Sequence, residues 1–480
     1  MPHQGRKSND RKSNDRKPNG QRSNGQVVTC NADALEQCVT RLCDASFFGD
    51  LRFAERCTWT PRTLSAASLF WIWSDESTLA DRFSAARRIT KSVWNDQDKL
   101  SSAYQPFMRM QRRWSALLIF ALTLGYRRMM TRELDAPLRN RKWAEFAIDG
   151  SRFELPRTVS NERAFSPKPD NGKRKRRVCE GRFANEAAEK KSNSPQIWVT
   201  LLWHLNSGLP WAWRRGESGS SERRHLLEMI DELPSRSLLT ADAGFVGYEV
   251  WKAILDAGHD LLVRVGGNTT LLQRLGYAKE SGNTVYLWPD KAASAARPPL
   301  VLRLVLLKRR GKTVYFVTSI SSRKLMSDQE LLRIARRRWG VEVFYRSWKQ
   351  TFDKRKLRSR NSSHALIELD WSLIGLWGIC LFAQIENPEM PSRKLSVAKV
   401  LRAVRRPMRA PSLPPERGES LFELLSRARV DDYRRRKSKA SRDYPLKKKP
   451  DKISPPILRI ATARQRIQAR GYMILLKSAA

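Results

Sequence analysis

Apolar residues recur at three- and four-residue spacing in Leu35–Phe48, Ser77–Trp94 and Phe107–Met130, which predicts amphipathic helices across residues 27–140. Basic pairs such as Arg87-Arg88 and Arg112-Arg113 interrupt their apolar faces. The region therefore reads either as a helical DNA-binding module or as a helical packing domain with a charged surface. The period changes at residue 143. Trp143–Asp149 reads as a buried strand closing at Asp149, with Gly150 opening a turn. Ile197–Arg214 predicts a hairpin turning at Asn206-Ser207-Gly208, and Ser221–Leu233 a helix that Ser221 caps. Ser237–Ala241 is a short apolar strand ending at Asp242. Gly247–Ala257 reads as a helix stopped by Gly258, and Leu261–Val265 as another strand.

Strand signals crowd residues 268–318, at Thr284–Trp288, Leu300–Leu307 and Lys312–Ser319. Helical spacing returns at Ser327, a predicted N-cap, and continues to about Phe352. The order strand, hairpin, helix, strand, helix, strand, insertion, helix implies an α/β fold: a mixed sheet with helices on its faces. Four regions follow: a low-complexity tail at 1–26, helices at 27–140, the mixed-sheet domain at 141–385 and a basic region at 386–480. In the tail, Arg6–Asp10 repeats as Arg11–Asp15, a composition that cannot bury a core.

Charge narrows the functional classes. Lys and Arg number 91 against 48 Asp and Glu, a net charge of +43 in 480 residues. Such a surplus calls for a polyanionic partner. Nucleic acid comes first, because neutralised phosphates release counterions. An anionic membrane surface comes second and needs an anchor. The longest apolar runs, Ala116–Leu124 and Ser372–Ala383, fall short of the roughly 20 residues that span a bilayer, and read as buried helices. The N-terminus lacks the apolar core of a signal peptide. Six cysteines form no C-x-x-C pair, which fits a reducing, cytosolic compartment, although four of them fall within the first 57 residues and leave room for a metal knuckle. His204, His225, His259 and His364 lack ligand spacing and read as structural. From Leu401 to Ala480, 22 basic residues face 7 acidic ones, so this end is available to phosphate.

In so basic a chain, acids beside strand ends stand out. Asp149 and Asp242 each close an apolar strand near a glycine, and Glu342 sits in the helix after the insertion, 93 and 100 residues apart in turn. Carboxylates converging from distant positions can hold two divalent ions, which activate water and stabilise the leaving oxygen in phosphodiester cleavage. A strand-end aspartate on its own also makes a turn or a helix cap.

Ile148-Asp149-Gly150-Ser151 resembles the first aspartate motif of bacterial insertion-sequence transposases. Leu239–Phe245, with Val263-Arg264-Val265 and Asn268 downstream, resembles their second. Arg337–Lys349 resembles their glutamate signature, Y-x2-R-x3-E-x6-K. Arg338, Glu342 and Lys349 fit in register, and Ala335 departs at the tyrosine position. The stretch from about 140 to 385 is thus similar to the insertion-sequence-four family of DDE transposases. That resemblance implies an RNase H-like fold with a β insertion before the glutamate, and two Mg2+ or Mn2+ ions on Asp149, Asp242 and Glu342. It implies cleavage at transposon ends and joining of the 3′ hydroxyl to target DNA.

On a straight helix, Arg338 and Lys349 fall within roughly 40° and 20° of Glu342, so the three share a face. The resemblance assigns both cations to the DNA backbone, and assigns an insertion aromatic, Trp288, to a base flipped from the DNA end. Arg264 joins this DNA-binding set. The run Lys173–Arg177 reads as an exposed loop, with phosphate contact preferred. The expected partners are double-stranded DNA, as terminal inverted repeats and target, and a second copy in a dimer on DNA, with no membrane. A nuclease that no longer transposes and a non-catalytic basic DNA-binding protein remain the alternatives.

Overall fold

The structure is a computed structural model. It describes residues 29–94, 100, 103–134, 138–140, 142–167, 194–309, 312–430 and 454–478. The tail at 1–26 and the Lys173–Arg177 run lie outside them.

Four helices come first: α1 (Asn31–Leu42), α2 (Pro61–Trp73), α3 (Leu79–Val93) and α4 (Tyr104–Arg132). Pro61 occupies the first turn of α2 and Thr60 caps it, with the Thr60 side chain accepting from the Thr63 amide. Every residue of α2 from Thr63 to Trp73 is buried. The 116–124 run within α4 was expected to be buried, yet Leu117 and Phe120 are exposed. Only one stripe of that long helix meets the core.

Then come β1 (Ala144–Glu154), α5 (Val159–Phe165), β2 (Gln196–His204), β3 (Leu209–Gly216), α6 (Glu222–Leu227), β4 (Ser237–Ala241), α7 (Tyr248–Asp256) and β5 (Asp260–Val265). The insertion supplies β6 (Thr270–Gln273), β7 (Thr284–Leu287), β8 (Leu300–Arg309) and β9 (Lys312–Thr318). Next are α8 (Asp328–Arg337), α9 (Trp339–Arg346), α10 (Ser362–Ile385), α11 (Val397–Arg409), α12 (Leu421–Ser426), β10 (Ile457–Ile460) and α13 (Ala463–Ser478).

One ten-stranded sheet runs β10-β6-β7-β8-β9-β5-β4-β1-β2-β3. Strands β1, β4 and β5 are parallel, while β2 runs antiparallel to β1 and to β3. The order 3-2-1-4-5, with an antiparallel hairpin beside a parallel core, is the RNase H-like arrangement. The insertion adds its strands beyond β5 through the antiparallel β5–β9 pair. The helical N-terminal region and the sheet share one continuous apolar core.

Helix α10 lies at the centre of that core. At 24 residues, with a window of mean hydropathy 1.6, it is long and apolar enough to span a membrane, but 94% of that window is buried inside the protein. The apolar run Ser372–Ala383 had shown only its second half. Trp73 Nε1 from α2 donates to the Gly375 carbonyl, and Trp371 Nε1 donates to Ser115 Oγ of α4, locking three helices together.

The described residues of the basic C-terminal region fold with the rest. Helices α11 and α12 join the core, and β10 pairs in parallel with β6 at the far sheet edge.

Candidate catalytic site

Strand β1 does not close at Asp149. It continues to Glu154, because β2 pairs with it antiparallel as far as Glu154↔Gln196. What stops near Asp149 is the parallel neighbour: β1 and β4 pair through Ala147↔Thr240, and β4 ends at Ala241. Two residues onward on each chain, the same register brings Asp149 level with Asp242. Asp242 caps the following turn, its Oδ1 accepting from the Gly244 amide at 2.8 Å.

Glu342 comes from the opposite side, on α9. This helix lies against the β1–β2 pair: Tyr345 Oη donates to the Asp149 carbonyl at 3.0 Å and to the Val199 carbonyl at 3.2 Å. Gly340 permits the approach, because a Cβ there would collide with the Trp203 ring. Upstream, Ser327 caps α8 in a capping box with Glu330. A buried Glu145 on β1 holds Arg337 at 2.9 Å, fixing the α8–α9 junction to the sheet.

The helix carrying the glutamate signature is not uniform. α8 gives way to α9 at Arg338, whose own backbone stays helical, and α9 widens to a π turn over Ser347–Thr351. Arg338 still reaches Glu342 at 2.9 Å. Lys349, on the π turn, is redirected: its Nζ donates to Ser151 Oγ at 2.7 Å and lies over the Phe153 ring. Ser151 and Asp149 are two apart on β1 and face the same side, so Lys349 stands beside the first aspartate.

Burial pushes the Asp149 carboxyl up to about 6; Arg338 pulls the other way, and the charges of Asp242 and Glu342 add to the rise. The three acids therefore feel one another across β1, β4 and α9. Among the described residues, no three His, Cys, Asp or Glu side chains stand close enough for a closed metal cage. The donor chemistry nevertheless suits magnesium or manganese. These are hard carboxylate oxygens, and magnesium takes few protein ligands alongside waters and substrate phosphates.

Sequence reasoning missed Glu222, the first residue of α6. Its carboxylate lies over Gly150, and burial pushes it up to about 7, with Asp149 and Asp242 adding to the rise. A first-turn acid is common enough that nothing local marks this one.

The remaining expected residues lie elsewhere. Arg264 is half-buried on β5, its backbone in register with Phe316 of β9. Trp288 follows β7 and is buried. Its Nε1 donates to the Arg297 carbonyl at 2.8 Å, and Tyr472 of α13 packs edge-on against its ring. His204 is held within the fold: it bonds Ser207 and the Leu138 carbonyl, and burial lowers its pKa to about 4. Cys38 and Cys43 are buried, and desolvation keeps both thiols protonated.

An RNase H-like sheet with two acids level where its central parallel pair β1–β4 stops, and a third acid on the helix after a β insertion, defines the class to which this site belongs. The chain matches the model of the transposase DDE domain over residues 144–376. It is 25% identical over 252 residues to the transposase InsG for insertion sequence element IS4 of Escherichia coli strain K12. That match covers 51% of this chain and 51% of the relative, so the chain spans about half the length of the curated relative it matches. Among solved structures, a piggyBac transposase synaptic complex with hairpin DNA aligns with a TM-score of 0.39 and 11% identity, over 86% of this chain and 88% of that one.

Proposed function

We propose that this protein is a transposase that binds the ends of a mobile element, cleaves DNA there and joins the freed 3′ hydroxyl to target DNA. The observation that carries the reading is the level register of Asp149 and Asp242, with Glu342 facing them from α9. Asp149, Asp242 and Glu342 would hold two Mg2+ or Mn2+ ions. When bound, such ions lower the pKa of water and neutralise charge on the transferring phosphoryl group.

The chain's own residues do the rest. Lys349 and Arg338 flank the acids and would hold the strand to be cut by charge-assisted bonds to its backbone. Arg338 must then release Glu342, its present partner. Tyr345 and the Arg337–Glu145 pair keep α9 seated on β1, so that the acids keep their spacing. Since every step is phosphoryl transfer, positioning and charge neutralisation dominate. Arg264 and the basic C-terminal region would add phosphate contacts. Trp288 would receive a base only after α13 lifts from the insertion. Pairing two element ends calls for a dimer on DNA, and work on chromosomal DNA fits a bacterial cytoplasm.

The test is cleavage of DNA carrying the inverted repeats that flank the gene. Asp149→Asn, Asp242→Asn and Glu342→Gln should each abolish cleavage and spare DNA binding, and chelating divalent ions should do the same. Cleavage near the wild-type rate in any one variant removes that residue from the site. Cleavage without strand transfer would assign a nuclease instead.

A further inference from the structure

The helix that presents Glu342 has a second face. At about 100° per residue, Arg333, Arg336, Gly340 and Phe344 fall roughly 120–200° around it from Glu342. These four line a groove of about 790 Å3 on the side of α8 and α9 turned away from the acids. Across from them the groove is lined by the segment leading into α11, with Pro391 and Arg393. Arg333, Arg336 and Arg393 are exposed, and among the described residues no aspartate or glutamate lines the groove.

The fold does not balance these cations. Elsewhere arginines meet acids: Arg41 holds Glu133 and Glu386, and Arg215 holds Asp370. Here the acid in reach is Glu145, which is buried and already bonded to Arg337 at 2.9 Å. Burial holds the Arg337 guanidinium below its ordinary value and Glu145 opposes this, while Arg333 and Arg393 crowd it with like charge. Among the described residues, the side chains of Arg333, Arg336 and Arg393 form no ion pair and no hydrogen bond. Three such guanidiniums in one groove call for several negative charges from outside. Their planar forks match phosphate oxygens two at a time. A second copy of a chain with net charge +43 would be repelled.

We propose that this groove is a second DNA-contact surface, in which Arg333, Arg336 and Arg393 hold the sugar–phosphate backbone of duplex DNA lying behind α9, apart from the strand at the acids. This rests on the reading of the protein as one that binds DNA, and not on the role of the three acids. Backbone contacts position DNA without reading its sequence. The groove therefore anchors DNA of any sequence and takes no part in cleavage itself.

The measurement is the salt dependence of duplex binding by the full-length protein in EDTA, where no cleavage intervenes. Two duplexes are compared, one carrying the inverted repeat that flanks the gene and one of unrelated sequence. Replacing Arg333, Arg336 and Arg393 together with alanine should weaken binding to both by about tenfold or more. It should also lower the slope of log affinity against log salt by roughly two to three, about one for each phosphate released. The melting temperature should hold, because the three side chains are exposed and unbonded. A control variant loses the same charge from exposed Arg52, Arg56 and Arg157. A wild-type slope in the groove variant overturns the proposal. So does an equal drop in the control, which would mean bulk charge alone, and so does a loss confined to the inverted repeat, which would mean base reading. A wild-type slope with altered sedimentation would give the groove to a second copy. Cleavage by Asp149→Asn separates the two readings. If that variant cleaves like the wild type while the groove variant loses slope, the catalytic reading fails and the groove stands; if it is inactive while the groove variant keeps its slope, only the groove fails.

Discussion

The surroundings of Asp149 oppose its negative charge. With its carboxyl raised to about 6 by burial, the folded protein holds a proton there that the unfolded chain, near the ordinary value of 3.8, would release. Protonation thus favours folding. The penalty for the ionised form is absent below about pH 4, grows between the two values and is complete above about pH 6. It amounts to on the order of 2–3 kcal/mol. Asp149→Asn should therefore raise the melting temperature of the metal-free protein at pH 8 and leave it unchanged near pH 4. An equal shift at both values would sink this account. Metal and proton compete for the same oxygens, so Mn2+ affinity should rise with pH through 6 to 7.

At the scale of elements, the non-uniform helix 328–351 sets what each cation can do. Arg338, between α8 and α9, keeps its i, i+4 reach to Glu342, whereas the π turn carries Lys349 over to β1. Replacing either with alanine should slow single-turnover cleavage by about ten- to a hundred-fold, the value of one charge-assisted bond. Arg338→Lys should recover only part, having lost the planar fork. If extra metal fully rescues Arg338→Ala, the arginine was only holding Glu342 and the phosphate role falls. The π turn explains how far the sequence could be read. Ser237–Ala241 was legible to the residue because apolar runs between turn formers are unambiguous. The Ser327 cap was legible through its own side chain. The bond from Lys349 to Ser151 was not legible, because a π turn leaves no trace in three- and four-residue spacing. Helix α2 escaped notice within its region because a helix buried on all sides has no period. Strand β10 pairs with a partner some 180 residues away, beyond the reach of local pattern.

At the scale of the whole molecule, the sheet is continuous from the acids to the insertion, and the chain carries a net charge of +43. Affinity for an element end should drop steeply with salt, by roughly a thousandfold between 50 and 200 mM if six or more phosphates are neutralised. Deleting residues 1–26 should reduce that slope slightly and leave cleavage at bound ends intact. Loss of end-specific binding on deletion would show that the repeat-rich tail recognises DNA sequence.

Helix α10 has a consequence for how the chain must be made. The machinery that inserts proteins into membranes reads the length and hydropathy of an emerging segment, not its eventual fold, and residues 362–385 satisfy both. Their docking partners α2 and α4, and most of the sheet, are synthesised earlier. The order of synthesis therefore supplies a waiting cleft before the apolar segment leaves the ribosome.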